Sequence, residues 1–363
     1  MRLRTILIAT AILTSVAARG ADLQLKKEML ADGVYLFRAP SDLDMWTATN
    51  VVAVVNDEDV TVFDTCTRPI TARMVISEIR RITSKPVRTI INSHWHMDHW
   101  MGNAEFVKAY PRVQIIATAQ TREYMKHVGN AFFAESINRG LTNARTALEE
   151  AVRAGKTADG NVLTDAIRKE KEQEIADVLN FQKEAAENPH VLPNLVYNDA
   201  LTFWRGNREF RLMSVTGDAS ASTAMYLPAE KILVTGDALV SPETGDGPPP
   251  WTTNSYAITP WLATLRKFQS LDTSIIVPGQ GAAFHDRTYL NLTTELFASI
   301  LDQVHAAMER GITKLAEVEA AVNVDAIGVR YTPGATTPDP RFKSLVSRLV
   351  KKAAQESLDG VER

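Results

Sequence analysis

The sequence predicts an α/β fold in which a β-then-α order occurs twice. Short runs rich in β-branched and aromatic residues, parted by polar turns, fill residues 25–65 and return after Pro193. Segments with apolar residues at helical spacing follow each group. A dense histidine cluster sits directly behind the apolar run Val87 to Ile91.

The first strands are read at Gly33–Arg38, Asn50–Val55 and Asp59–Asp64, with Asn56-Asp57-Glu58 as a turn. Met74, Val75, Ile79 and Ile82 then repeat at helical spacing over 71–82. Val87–Ile91 reads as a buried strand, followed by the loop Asn92-Ser93-His94-Trp95-His96-Met97-Asp98-His99. A helix near 103–110 and a strand at 113–117 complete this half.

From about 121 to 193 the chain becomes helix-rich and strongly charged, with helical spacing over 144–153 and 162–183. This stretch is expected to be a helical insertion, either a hairpin lying on the domain or a cap over the site. His127 and His190 fall within it and read as surface histidines. Strands resume at 201–204, 210–215, 224–227 and 232–235. A Gly/Pro-rich loop then spans 241–256 and contains Trp251; a loop of that length in a compact domain is usually functional or mobile. A helix at 260–270 and a strand at 274–277 lead to Pro278-Gly279-Gln280-Gly281. Helices are expected near 287–310 and 314–323. In the tail, Phe342, Leu345, Val346 and Leu349 share one helical face, read as core-facing.

Composition excludes some function classes. The chain has 363 residues, 45% hydrophobic and 23% charged, which is ordinary for a globular protein. A net charge of −3 points neither to nucleic acid nor to an anionic membrane surface. The first twenty residues read as a secretory signal: basic Arg2 and Arg4, an apolar Thr5–Val16 too short to span a bilayer, and small residues before Ala21. Cleavage there removes Arg2, Arg4 and Arg19 and takes the charge from −3 to −6. The expected location is periplasmic or secreted, with no stable membrane anchor after cleavage. Cys66 is the single cysteine, so no internal disulfide can form, and it reads as a small buried residue. The expected organisation is a signal peptide (1–20), one domain (21–330, with the insertion at about 121–193) and a C-terminal helical tail (331–363).

The histidine loop carries the chemistry. It holds three of the seven histidines and one aspartate within six positions, at the C-terminal end of a strand. Two imidazoles spaced two apart can grip one divalent ion, and Asp98 with His99 can face a second. Two ions about 3.5–4 Å apart form a recognised hydrolytic arrangement.

With Asp64-Thr65, His94-x-His96-x-Asp98-His99, Thr235-Gly236-Asp237 and Pro278-Gly279-x-Gly281 in this order, the chain resembles the metallo-β-lactamase superfamily over about residues 30–285. The resemblance implies an αββα sandwich of two similar halves, with metals at one edge of the sheets. It implies that His94 and His96 hold a first ion, Asp98 and His99 a second, and that Asp237 bridges both or ligates the second. Two positions depart from the family pattern. In the frame set by Tyr226-Leu227-Pro228, Asp218 stands where a third histidine is expected, and Gln280 stands where the family has its last histidine. Both are taken as ligands here, Asp218 as an oxygen donor and Gln280 as a weak amide donor. His285 lies five residues beyond Gln280, on a different part of the loop. A set of three His, three Asp and one Gln is richer in oxygen than the family norm. Zn²⁺, one or two ions per chain, is expected, with Mn²⁺ or Fe²⁺ as alternatives.

The function so implied is an exported metal-dependent hydrolase of a small molecule: a cyclic amide, lactone or ester-type substrate. The unsplit motif resembles the third subclass of zinc β-lactamases and their exported relatives. The ion supplies a hydroxide nucleophile, and Asp98 orients it or takes its proton. The alternatives are a binding or pseudo-enzyme module on the same fold, and a mononuclear iron oxygenase-type member.

Overall fold

The computed structural model describes residues 25–39, 49–157, 160–242, 257–332 and 334–361. The expected signal peptide and most of the Trp251 loop lie outside the described residues. Among those residues, no helix is long and apolar enough to cross a membrane.

Two sheets face each other. The first has seven strands in sequence order: β1 (Lys26–Ala31), β2 (Val34–Arg38), β3 (Asn50–Val55), β4 (Val60–Phe63), β5 (Val87–Ile91), β6 (Gln114–Thr118) and β7 (Leu195–Tyr197). Strands β1 to β4 form an antiparallel meander, and β4 to β7 run parallel. The second sheet runs β12-β11-β10-β9-β8, with β8 (Ala200–Arg205), β9 (Arg208–Val215), β10 (Ser222–Leu227), β11 (Ile232–Val234) and β12 (Ile275–Val277). Only β11 and β12 pair in parallel there.

The period-2 side-chain alternation of strands assigns the layers. In β3, Val52 and Val54 face the other sheet, in a core with Phe63, Ile91, Phe210, Leu212 and Met225. Val51 and Ala53 point the other way, against α1 (Pro69–Ile82) and α2 (Asn103–Ala109), whose Val75, Ile79 and Phe106 close the outer layer. The second sheet is covered by α6 (Ile258–Gln269), α7 (Thr288–Glu309), α8 (Leu315–Ala321), α9 (Asp325–Arg330) and α10 (Pro340–Val361). Phe342, Leu345 and Leu349 of α10 are buried in that layer beside Trp261 and Phe297, as the helical stripe predicts. The result is the αββα sandwich.

The insertion consists of α3 (Ala119–Tyr124), a π-helical turn (Met125–Gly129), α4 (Asn130–Ala154) and α5 (Asp165–Glu187). Helix α5 starts later than the spacing suggests because Thr164 caps it, accepting the Ile167 amide at 3.3 Å. The two long helices are antiparallel: Gln182 binds Thr142, and Arg168 binds the Val152 carbonyl. The hairpin lies on the domain beside the histidine loop. Buried Arg68 donates to Glu184 from two nitrogens, at 3.1 and 3.0 Å, with Phe181 under its guanidinium. Asn188 donates to the Met101 carbonyl.

Side chains pin the two sheets together at opposite edges. At the far edge Arg208 reaches Val55 O, Asp32 O and Glu230. At the histidine edge Asn50, 2% exposed, donates from one amide nitrogen to Pro278 O at 2.7 Å and Gly281 O at 2.8 Å. Its backbone N–H binds Gly279 O. Asn50→Ala leaves two buried carbonyls without their donor and is expected to cost about 2–3 kcal/mol in a urea titration. A loss below about 0.5 kcal/mol, the level of an ordinary surface change, contradicts the clamp.

Candidate metal centre

Every element of the centre ends at the same edge of the sandwich. β4 and β5 run parallel, so Asp64 and the histidine loop leave their sheet together. β9 and β11 both run antiparallel to β10, and β12 parallel to β11, so Asp218, Asp237 and Gln280 leave the other sheet at that edge. Cross-links fix the register: Asp64 N–H to Ile91 O, Gly279 N–H to Gly236 O, and Thr223 N–H to Ser93 O between the sheets.

The residues gather into two groups that share Asp237. One is His94, His96, Asp218 and Asp237; the other is Asp98, His99 and Asp237, and in each the ligand atoms lie within 4.8 Å of one another. In the first, His96 Nδ1 lies 3.3 Å from Asp218 Oδ2. His94 Nε2 lies 3.8 Å from Asp218 Oδ1 and 3.9 Å from Asp237 Oδ2. Four donors about 2.0–2.1 Å from a tetrahedral ion stand about 3.3 Å apart, so these separations need only a small contraction. In the second, His99 Nε2 is 2.9 Å from Asp98 Oδ2 and 3.3 Å from Asp237 Oδ2.

The atoms that face inward also fit a cation. His94 Nε2, His99 Nε2 and Asp237 Oδ1 are buried and make no aligned hydrogen bond. Unsatisfied buried polar atoms are costly, and both imidazole nitrogens have carboxylate oxygens within 3.9 Å, a setting that suits a cation. The other ring nitrogens are engaged. His94 Nδ1 meets Ser93 Oγ at 2.9 Å, and His99 Nδ1 meets Asp64 Oδ2 at 2.7 Å. Such outer partners orient a ligating imidazole. Asp64 also accepts the Ser93 amide, and it sits at φ 58°, a left-handed conformation that Asp tolerates better than most residues.

Burial and charge set the protonation of the cluster. Burial holds His94 well below the usual imidazole range, helped by His99 and His96, and so keeps it neutral. Burial works against protonating His99 too, but Asp98, Asp237 and Asp64 overcome it and raise that imidazole well above its usual range. For Asp98, burial favours the neutral carboxyl, yet His99 holds it well below the carboxylate range. Burial pushes Asp237 up to about 6, against the pull of His99.

The structure therefore brings together His94, His96, Asp98, His99, Asp218 and Asp237. Gln280, 5% exposed, is at the same place, with Nε2 3.3 Å from Asp98 Oδ2 and 3.4 Å from Asp237 Oδ2. His285 is outside, exposed and paired with Glu28. His127 and His190 are also at the surface, His127 against Glu123 and His190 against the Trp100 ring. Cys66 is buried. Sequence reasoning gave no role to Thr49, which donates to Asp98 Oδ2 at 3.0 Å, or to Ser93. It gave Asp64 a place in the motif order but no partner. Its one signal was an acidic residue directly after a buried strand.

Fold and centre together define a two-sheet protein with a candidate metal site at one sheet edge. The chain belongs to the metallo-beta-lactamase superfamily, whose pattern it matches over residues 44–280. That superfamily includes hydrolases and generally binds metal ions, usually zinc. The linear primary-alkylsulfatase of Pseudomonas sp. (strain ATCC 19151) is 22% identical over 248 residues, covering 67% of this chain and 44% of that protein. The chain thus spans less than half the length of that relative. Among solved structures, DIM-1 metallo-beta-lactamase aligns with TM-score 0.50 at 15% identity, covering 76% of this chain and 97% of that one. VMB-1 aligns with TM-score 0.51 at 16% identity, covering 77% and 99%. These likenesses are of fold.

Gly279 is where the centre tolerates least. A Cβ there would lie 1.9 Å from Asp237 Oδ1 and 2.7 Å from the Gly236 backbone carbon. Gly279→Ala is expected to displace Asp237 and weaken Zn²⁺ binding roughly 10- to 100-fold, read by competition with a chromophoric chelator. Unchanged affinity would place Asp237 outside the metal shell.

Proposed function

We propose that the protein is an exported metal-dependent hydrolase acting on a cyclic amide, lactone or other ester-type bond of a small molecule. The observation that carries this reading is the group His94, His96, Asp218 and Asp237, whose ligand atoms lie within 4.8 Å of one another and whose His94 Nε2 has no hydrogen bond of its own. The donors are two imidazoles and two carboxylates. Zn²⁺ suits them, and the oxygen content lets Mn²⁺ and Fe²⁺ compete.

When bound, the ion supplies Lewis acidity and an ionised water near neutral pH. The chain does the rest. Ser93 and Asp64 hold the imidazoles in place from behind. Asp98, 8% exposed and kept ionised beside His99, takes the proton of the attacking water. Thr49 fixes its carboxylate. Trp95 stands edge-on to His96 with ring centres 4.3 Å apart, and Tyr124 lies beyond it at 6.1 Å. With buried Met97, Met125 and Ala219 they form an apolar cluster beside the histidine loop. The alkylsulfatase relative makes an alkyl sulfate one ester to include. Export rests on the signal-like first twenty residues, and fractionation of the expressed full chain tests it.

A panel of a chromogenic β-lactam, a lactone, an acyl ester and an alkyl sulfate, run with Zn²⁺, Mn²⁺ and Fe²⁺, tests the activity. Hydrolysis of at least one ester-type substrate is expected, abolished by chelation. Asp98→Asn is expected to lower kcat roughly 10²- to 10⁴-fold while the His94–His96 ion stays bound. Metal-loaded protein inert on the whole panel supports the binding-module alternative and overturns the hydrolase reading.

A further inference from the structure

The two groups of the centre are not equally ready for an ion. In both, an imidazole Nε2 is buried without an aligned hydrogen bond, His94 in the first and His99 in the second, and Asp237 is shared. In the second, the facing oxygens are already engaged. Asp98 Oδ2 accepts Thr49 Oγ1 at 3.0 Å and Gln280 Nε2 at 3.3 Å, and lies 2.9 Å from His99 Nε2. The same Gln280 nitrogen reaches Asp237 Oδ2 at 3.4 Å. One amide NH₂ thus ties the two carboxylates together.

The amide has little freedom to do otherwise. Gln280 sits in the turn that Asn50 grips on both sides, through Pro278 O and Gly281 O. Its backbone forms an antiparallel bridge with Thr49, the residue that holds Asp98. Turning the amide over would set its carbonyl oxygen against two carboxylate oxygens; the hydrogen-bond network therefore fixes its NH₂ side toward them. To ligate an ion between Asp98 and Asp237, Gln280 would have to give up both bonds and offer a neutral oxygen in their place.

We propose that this centre holds one tightly bound divalent ion, at His94, His96, Asp218 and Asp237, and that the Gln280 amide takes the place of a second ion between Asp98 and Asp237. The inference rests on the metal-centre reading above and goes beyond it in assigning the number of ions and the residue that sets it. Gln280 is then a positioning residue. It presents Asp98 toward the single ion, where a second metal would otherwise hold that carboxylate.

The test counts ions. Full-length protein is stripped with chelator, reloaded with Zn²⁺ or Co²⁺, freed of excess by gel filtration, and its metal measured by mass spectrometry. Co²⁺ absorption follows each equivalent as it is added. Wild-type protein is expected to retain one ion per chain and Gln280→His two, with the second bound roughly 10- to 100-fold more tightly than in wild type. Should the histidine variant fail to fold, the nearly isosteric Gln280→Glu replaces the donor by a ligand and is also expected to take two. Two tight ions in the wild type overturn the inference and leave the metal centre standing. No retained ion overturns both. One ion in wild type and in a folded Gln280 variant removes Gln280 as the determinant.

Discussion

Charge compensation at one sheet edge is the constraint on which the centre depends. Asp64, Asp98, Asp218 and Asp237 are 1%, 8%, 3% and 5% exposed and share their space with three imidazoles. An uncompensated carboxylate in such a place costs several kcal/mol, and removing one partner from a buried pair leaves that cost behind. The chain meets it unevenly. Asp64 and Asp98 are met by His99 and by hydroxyl, amide and backbone donors. Asp237 keeps an oxygen with no hydrogen bond, and burial pushes its carboxyl up to about 6. Asp237, common to both groups, is the carboxylate to which a cation has most to offer.

The rest of the fold holds this cluster together. Its residues come from two sheets, so the distance between sheets must be fixed at that edge. Asn50 does this by gripping the Pro278–Gly281 turn, and Gly279 permits the close approach of that turn to Asp237. The helical insertion is tied to the same region through Arg68 with Glu184 and Asn188 with Met101. Its Tyr124 and Ala185 pack against the buried cluster of Trp95, Met97 and Met125. The C-terminal helix α10 is remote from the chemistry and completes the layer over the second sheet.

Much of this was legible in the sequence. Strands β3 and β5 fall at the expected residues because runs such as Asn50–Val55 and Val87–Ile91 are buried on both faces and read as strands without help. The histidine loop was legible because its residues are neighbours in the chain. Asp218 and Gln280 were placed only through the family frame, since nothing near them in sequence signals a site. Thr49, Ser93 and the pairing of Asp64 with His99 were not legible. Those contacts join residues 49, 1 and 35 positions apart, and a lone Thr, Ser or Asp beside a strand has many ordinary uses. Whether the insertion capped the site or lay beside it was equally open, because amphipathic helices reveal that they pack but not where. The contacts at Arg68 and Asn188 tie it to the region of the histidine loop.

The central claim is that the primary ion lies with His94, His96, Asp218 and Asp237. Anomalous diffraction at the zinc edge, from crystals of protein loaded with one equivalent, tests it most directly. A single strong peak is expected, bonded to His94 Nε2, His96 Nδ1 and carboxylate oxygens of Asp218 and Asp237. A peak held by Asp98 and His99 with neither His94 nor His96, or no peak at the cluster, would contradict it.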